Sequence, residues 1–278
     1  MDVSLIWNAI VVQPMTNILL TIYGLVGNFG IAIILFTILI RLATHPLMVQ
    51  QIKSSQKMQE LNNSKKYKEI QEKYKGDKEK LSQEQMKLYK EMGYNPLSGC
   101  LPTLIQFPII IGLYQSITRA LAATPLAMLT LTRTIYPWLE NIMPRLSLTS
   151  LIPINKYFLG MNLSQPEWTT LPIIGISIPI LAIIVALTTY VQSKVTTPPT
   201  GTDAQAKQMS NMMSIYMPLL LGYFAINFAS GLAVYFIVSN LFGIAQYAYM
   251  GKVDWKNVLS LPFGNSTSTS KAITKKNK

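Results

Sequence analysis

The amino-acid sequence predicts an all-α, polytopic membrane protein with five transmembrane helices plus a cytoplasmic helical hairpin. Half of its 278 residues are hydrophobic and only 13% are charged, a balance that excludes an ordinary soluble enzyme. The apolar residues gather into five stretches long enough to cross about 30 Å of hydrocarbon, which takes roughly 20 helical residues. The polar residues collect between the first two stretches, where eleven lysines and seven acids fall within about 45 residues.

Residues 1–17 carry Leu5, Ile6, Trp7, Ile10 and Val11, a pattern that predicts a short amphipathic helix at the outer interface. No basic residue precedes the apolar part and no small-residue cleavage site follows, so a signal peptide is not expected. The first span covers residues 18–49. It is longer than one straight crossing needs, and Gly24, Gly27, Asn28 and Gly30 mark a break or an interfacial entry.

Residues 50–96 predict a helical hairpin. Tyr67, Ile70 and Tyr74 repeat at helical spacing, as do Leu81, Leu88 and Met92, while Gly76-Asp77 interrupts between them, giving two antiparallel helices with a thin apolar seam. Asn95-Pro96 ends the hairpin, and Pro102 stands in the first turns of the second span, residues 97–120, where a missing N–H costs little. The outer segment 121–170 has five prolines with Tyr136, Trp138 and Trp168, suited to short helices at headgroup level.

The third span is residues 171–192. Residues 193–212, with Thr196-Thr197-Pro198-Pro199 and Gly201, read as a flexible cytoplasmic loop. Residues 213–250 hold the fourth and fifth spans as a tight hairpin around Ala229-Ser230-Gly231. The tail 251–278 is basic and, from Gly264, expected to be disordered. Orientation follows from Lys and Arg counts: an outer N-terminus and a cytoplasmic C-terminus put twenty of the twenty-four inside. The net charge of +12 thus belongs mostly to the cytoplasmic face, where anionic lipid headgroups and ribosomal RNA are the expected partners. DNA is not.

Arg41 is a permanent charge inside the first span, and a central arginine costs roughly 2.5–3.5 kcal/mol on insertion scales. Counting inward at the helical rise places Arg41 about 10 Å, Gln106 about 12 Å and Asn240 about 13 Å from the cytoplasmic ends. Thr37 and Thr103 extend the same faces by one turn. Either Arg41 snorkels while Gln106 and Asn240 make ordinary interhelical bonds, or the five residues line a wetted cavity open to the cytoplasm; composition leaves both open.

All twelve Asp and Glu residues fall in loops or termini. A proton relay therefore has no acid within the spans, and an unpaired cation facing water would attract carboxylates borne by something else. His45 is the sole histidine and Cys100 the sole cysteine, so no metal site, cofactor or disulfide is expected. Ser230 beside Gly231 has no base at its depth, and catalysis is not expected. Met209, Met212, Met213 and Met217 form an oily cluster whose ordinary role is packing.

The run Gly30-Ile31-Ala32-Ile33-Ile34 with Thr37, Ile40-Arg41-Leu42 and Pro46-Leu47 is followed by Lys73-Tyr74-Lys75, Leu88-Tyr89-Lys90, Asn95-Pro96 and Gly99-Cys100-Leu101-Pro102. Leu104, Gln106, Pro108, Gly112-Leu113-Tyr114, Phe158-Leu159-Gly160, Pro218, Gly231-Leu232-Ala233, Tyr235, Ser239-Asn240 and Gln246 continue the series. In this order, along nearly the whole chain, these residues resemble the YidC-type membrane protein insertases.

The resemblance implies a five-span core in the bacterial inner membrane, enclosing a hydrophilic groove open to cytoplasm and lipid but closed outside. It implies that Arg41 supplies the groove's charge, that Gln106 faces it, and that the hairpin receives substrate. The expected partners are nascent membrane proteins with short acidic outer tails, with the ribosome and the general secretion translocon beside them. Two departures stand out: Ala229-Ser230 where the family usually has Pro, and Phe236 where it has Trp, which removes an indole donor. A small-solute anion channel or transporter is the alternative function, and a structural scaffold for membrane complexes a third.

Overall fold

The computed structural model describes residues 2–93, 101–121, 124–142, 154–170, 177–196 and 212–250. Asn95, Pro96, Cys100, Met209, most of the loop 193–212 and the tail 251–278 lie outside the described residues.

The chain opens with α1, Val3–Val26, a single helix containing one wide π-helical turn at Asn8–Val12. That turn ends two residues before Pro14. A second wide turn, Met212–Tyr216, ends two residues before Pro218, at the start of the helix Met217–Asn227. A proline ring clashes with the carbonyl four residues back and cannot donate to it; the extra residue in the preceding turn relieves both problems without breaking the helix.

The helix runs on through residue 17. Thr16, Asn17 and Thr21 all bond back to carbonyls four residues earlier, keep helical conformation, and carry α1 on to Gly27. There Gly27 adopts φ of +70° and its N–H bonds the Tyr23 carbonyl at 2.7 Å, a left-handed stop that glycine accepts without strain. Asn28 then caps α2, Phe29–Ala43, its side chain accepting from the Ile31 N–H. The stretch expected as one span, 18–49, is thus the end of α1, all of α2 and the start of α3, His45–Asn63.

Helices α2 and α3 meet at Thr44 with a bend of 56°. Pro46 lies in the first turn of α3, where it supplies no N–H to continue the α2 ladder.

Ser64 caps α4, Lys65–Lys73, by accepting from the Tyr67 N–H, and Asp77 caps α5, Lys78–Glu91, by accepting from Lys80. Leu61, Tyr67, Leu88 and Tyr89 are buried together, with Met58 and Ile70 against them, and Gln85 donates to the Tyr67 hydroxyl at 3.2 Å. Of the seam expected from sequence, Tyr67, Ile70 and Leu88 lie inside it, Tyr74 and Leu81 are half-buried, and Met92 is exposed. Met92 stands at the C-cap of α5, beyond the last turn that α4 can cover.

Helix α6, Leu101–Ala120, is followed by two short helices, α7, Pro125–Thr134, and α8, Pro137–Ile142. Beyond them the chain makes two small antiparallel pairs that the all-α expectation did not include: Tyr157–Phe158 with Met161–Asn162, and Thr169–Thr170 with Ser177–Ile178. Leu159 and Gly160, both at positive φ, form the first turn.

Three helices complete the fold: α9, Ile180–Thr196; α10, Met217–Asn227; and α11, Ser230–Tyr249. A two-residue junction, Phe228-Ala229, joins α10 to α11. Helix α9 packs extensively against both, so the pair expected as a hairpin holds α9 between its arms.

By length and composition, α1 and α11 suffice to cross a membrane, and α2 with α3 adds a third if the bent pair is one span. The apolar helices Ile180–Thr196 and Ser214–Asn227 are shorter. The main core joins Phe29, Ile33 and Phe36 of α2, Leu113 and Ile117 of α6, Val185 of α9 and Tyr235 of α11.

Candidate functional site

Arg41 lies in the last turn of α2 and is 9% exposed. Its neighbours come from α11, which packs along α2. Arg41 Nε donates to Ser239 Oγ at 2.9 Å, and Nη2 reaches the same oxygen. One helical turn earlier, the Tyr235 hydroxyl stands beside the guanidinium and accepts a bond of 2.6 Å from Gln106 Nε2 of α6. Ser239 and Tyr235 are almost completely buried. Three helices therefore converge on one polar cluster whose only formal charge, among the described residues, is Arg41.

No carboxylate balances that charge among the described residues. The ion pairs there are Lys80 with Asp77 and Lys87 with Glu84, both on the hairpin. Glu84 bonds the Lys87 ammonium and so raises its pKa above the ordinary lysine value, but this group is fully exposed and remote from Arg41 in sequence and fold. A buried guanidinium whose bonds among the described residues go to one neutral hydroxyl keeps a charge available to an anion.

The other residues singled out from sequence fall in different places. Thr37 lies one turn before Arg41 on α2, fully buried, its hydroxyl donating to the Ile33 carbonyl at 2.6 Å. Thr103 is on α6, and its side chain lies outside the described residues. Asn240 turns away: its Nδ2 donates to Thr189 Oγ1 at 2.8 Å and Thr188 Oγ1 at 3.1 Å, tying α11 to α9. Adjacent helical positions differ by about 100° in direction, so Ser239 faces Arg41 while Asn240 faces α9.

Ser239 and Tyr235 were not singled out as site residues from sequence. The available signal was their four-residue spacing, which puts both on one face of α11, together with Arg41 needing acceptors. Phe236 is buried in the main core and packs against the Tyr235 ring, a setting that requires no indole donor. His45, at the head of α3, shares a hydrogen bond with Gln246 of α11.

Away from Arg41 a second set of bonds closes the other end of the bundle. Asn17 of α1 donates to the Thr134 carbonyl at 3.0 Å and accepts from the Tyr136 N–H at 2.9 Å. The Tyr23 hydroxyl accepts from Asn155 N–H. The Ser230 hydroxyl donates to the Gln165 carbonyl, its N–H bonds that same oxygen at 2.9 Å, and Gly231 N–H bonds the Leu163 carbonyl at 3.1 Å. Ser230 is thus a structural donor, as its lack of a base suggests.

The model of the 60Kd inner membrane protein family matches residues 21–257. The chain belongs to the 60Kd inner membrane protein family. It is 34% identical over 247 residues to membrane protein insertase YidC 2 of Bacillus anthracis, covering 87% of this chain and 79% of that protein. It is 35% identical to membrane protein insertase MisCA of Bacillus subtilis over 86% of this chain and 77% of the relative.

The chloroplastic inner membrane protein ALBINO3 of Arabidopsis thaliana is 34% identical over 81% of this chain but only 47% of its own length. A crystal structure of an active YidC insertase superposes with a TM-score of 0.50 at 28% identity, over 82% of this chain and 43% of that one. This member of the 60Kd inner membrane protein family is a multi-pass inner membrane protein.

Proposed function

We propose that this chain is a membrane protein insertase that works without a chemical reaction, through a hydrophilic groove centred on Arg41. The family assignment and the names of its relatives support insertion as the activity. The observation that carries the mechanism is Arg41 itself, buried where α2, α6 and α11 meet and held by the Ser239 hydroxyl with no acid beside it among the described residues.

Five spans, an outer N-terminus and a cytoplasmic C-terminus fit the charge distribution, with α1 lying along the outer side. In support, Trp7, Asn17 and Tyr23, spread along α1, bond Gln115, Thr134 and Asn155 in turn. The groove set comprises Arg41, Thr37, Gln106 and Thr103, with Tyr235 and Ser239 added. Asn240 belongs at its margin.

The physical task is to move a client's short polar tail across hydrocarbon, where each charged residue costs roughly 2.5–3.5 kcal/mol at mid-depth. A wet cleft reaching partway through the bilayer shortens the dry path. Arg41 draws in an acidic tail; the following apolar segment then partitions into lipid, and the membrane potential, worth roughly 2.3 kcal/mol per charge per 100 mV, drives the negative tail outward. The lysine-rich hairpin and basic tail suit a first encounter with the ribosome and anionic lipid. The bonds closing the end opposite Arg41 favour this reading over an anion channel, which needs an exit there.

The test is purified protein in lipid vesicles, given a ribosome-synthesised single-span client with a short acidic tail. Protection of that tail from external protease, well above empty vesicles and lost in Arg41→Ala, is the expected result. Client binding without protection would overturn the insertase reading in favour of a scaffold. Chloride flux in the absence of any client would favour the channel.

A further inference from the structure

A guanidinium offers two forked faces, and the choice between them decides where an arginine can receive an anion. In Arg41 the side-on face, formed by Nε and Nη2, is occupied: both nitrogens donate to the single hydroxyl oxygen of Ser239. Nη1 has no hydrogen-bond partner among the described residues. Two bonds onto one acceptor fix the plane of the guanidinium relative to α11, where one bond would leave it free to turn.

The acceptor is itself immobile. Ser239 is 2% exposed and Tyr235, one turn away on the same helix, is 1% exposed and braced from α6 by Gln106. Among the described residues, no charged side chain pairs with Arg41 to orient it instead.

We infer that Ser239 is the positioning residue of the groove: it ties down the side-on face of Arg41 and thereby presents the end-on face, Nη1 and the second N–H of Nη2, to client carboxylates. The end-on fork matches the two oxygens of one carboxylate, so recognition of an acidic tail is directional as well as electrostatic. This assignment rests on the insertase reading above and adds to it the chemistry of the contact: one carboxylate against one oriented fork.

The consequence is specific to acidic clients. Without the Ser239 hydroxyl, Arg41 keeps its charge but loses its orientation, and selection for carboxylates weakens while general insertion capacity is a separate matter. The experiment uses the full chain in vesicles and two single-span clients, one with an Asp-containing tail and one in which each Asp is replaced by Asn. The readout is the ratio of their protease-protection rates in wild type, Arg41→Ala, Ser239→Ala and Ser239→Thr, with size-exclusion profiles in detergent confirming that each variant is folded.

The expected result is a ratio above one in wild type that falls roughly three- to tenfold in Ser239→Ala, the range separating a forked charge-assisted pair from a loose one, and is largely restored in Ser239→Thr, which keeps a hydroxyl. A wild-type ratio in Ser239→Ala, with Arg41→Ala still defective, would overturn the positioning role and leave the insertase reading standing. Equal slowing of both clients with the ratio intact would also overturn it, since that marks a packing defect. Failure of wild type to protect either client would overturn the insertase reading and this assignment with it.

Discussion

The side-chain amide of Asn17 bridges α1 to the backbone just beyond α7, its oxygen accepting from the Tyr136 N–H and its nitrogen donating to the Thr134 carbonyl. Asn17 is 4% exposed, so its own amide depends on these two partners. Replacing Asn17 with Leu strands the Tyr136 N–H, whereas Thr134 keeps a bond from Gln13. A loss of about 1–3 kcal/mol is expected, seen as a lower melting temperature in detergent; an unchanged melt would show that the bridge does not form.

Gly30 has no room for a side chain, because the Phe158 ring occupies the space where a Cβ would stand. Gly30→Ala must push the ring and the small β-hairpin away from α2, with an expected cost of about 1–3 kcal/mol. The double variant Gly30→Ala with Phe158→Ala should recover part of the loss. If the two substitutions instead simply add, the contact is not the reason for the glycine.

Tyr67 joins the two arms of the hairpin through Leu88, Tyr89 and a bond from Gln85. Tyr67→Ala should cost roughly 3 kcal/mol within this small cluster. Limited trypsin digestion reads it directly, since α4 and α5 are rich in lysine: faster cleavage confined to the hairpin is expected. Identical cleavage kinetics would mean the cluster contributes little.

Arg41→Lys separates charge from shape. Lysine keeps the cation but cannot place two coplanar N–H groups on Ser239. Insertion of an acidic-tailed client is expected to fall between wild type and Arg41→Ala. Full wild-type rates in Arg41→Lys would show that a point charge suffices.

Asn240→Leu should behave differently from any change at Ser239. It removes two bonds to α9, each worth about 0.6 kcal/mol between membrane helices, and Thr188 retains its bond to the Ile184 carbonyl. A modest fall in stability with unchanged preference for acidic tails is expected. A lost preference would return Asn240 to the groove.

Much of this architecture was legible because short-range signals carried it. Gly24, Gly27, Asn28 and Gly30 mark a break or an interfacial entry in sequence, and the stop and cap fall at Gly27-Asn28, while Tyr67, Ile70 and Leu88 disclose the hairpin by spacing. Arg41 stands out as the charge in an apolar span, Gln106 shares its depth, and the family resemblance points to both. Depth along a helix says nothing about direction around it, so Asn240 was grouped with Arg41 although it faces α9, and Ser239, one residue earlier, was passed over. The length of α1 is not legible for another reason: the wide turn that accommodates Pro14 has no sequence signature. The two β-pairs are too short for any alternation to register.

Helix α11 supplies both Tyr235 and Ser239, yet it is synthesised after α2 and α6. Until it arrives, Arg41 stands on α2 without the hydroxyl that holds it. While residues 42–229 are made the chain therefore carries Arg41 without its Ser239 partner, and on the proposed reading the site is completed only when α11 follows. Assembly order is thus built into the placement of two side chains: a chain interrupted before residue 230 holds Arg41 and Gln106 but neither Tyr235 nor Ser239.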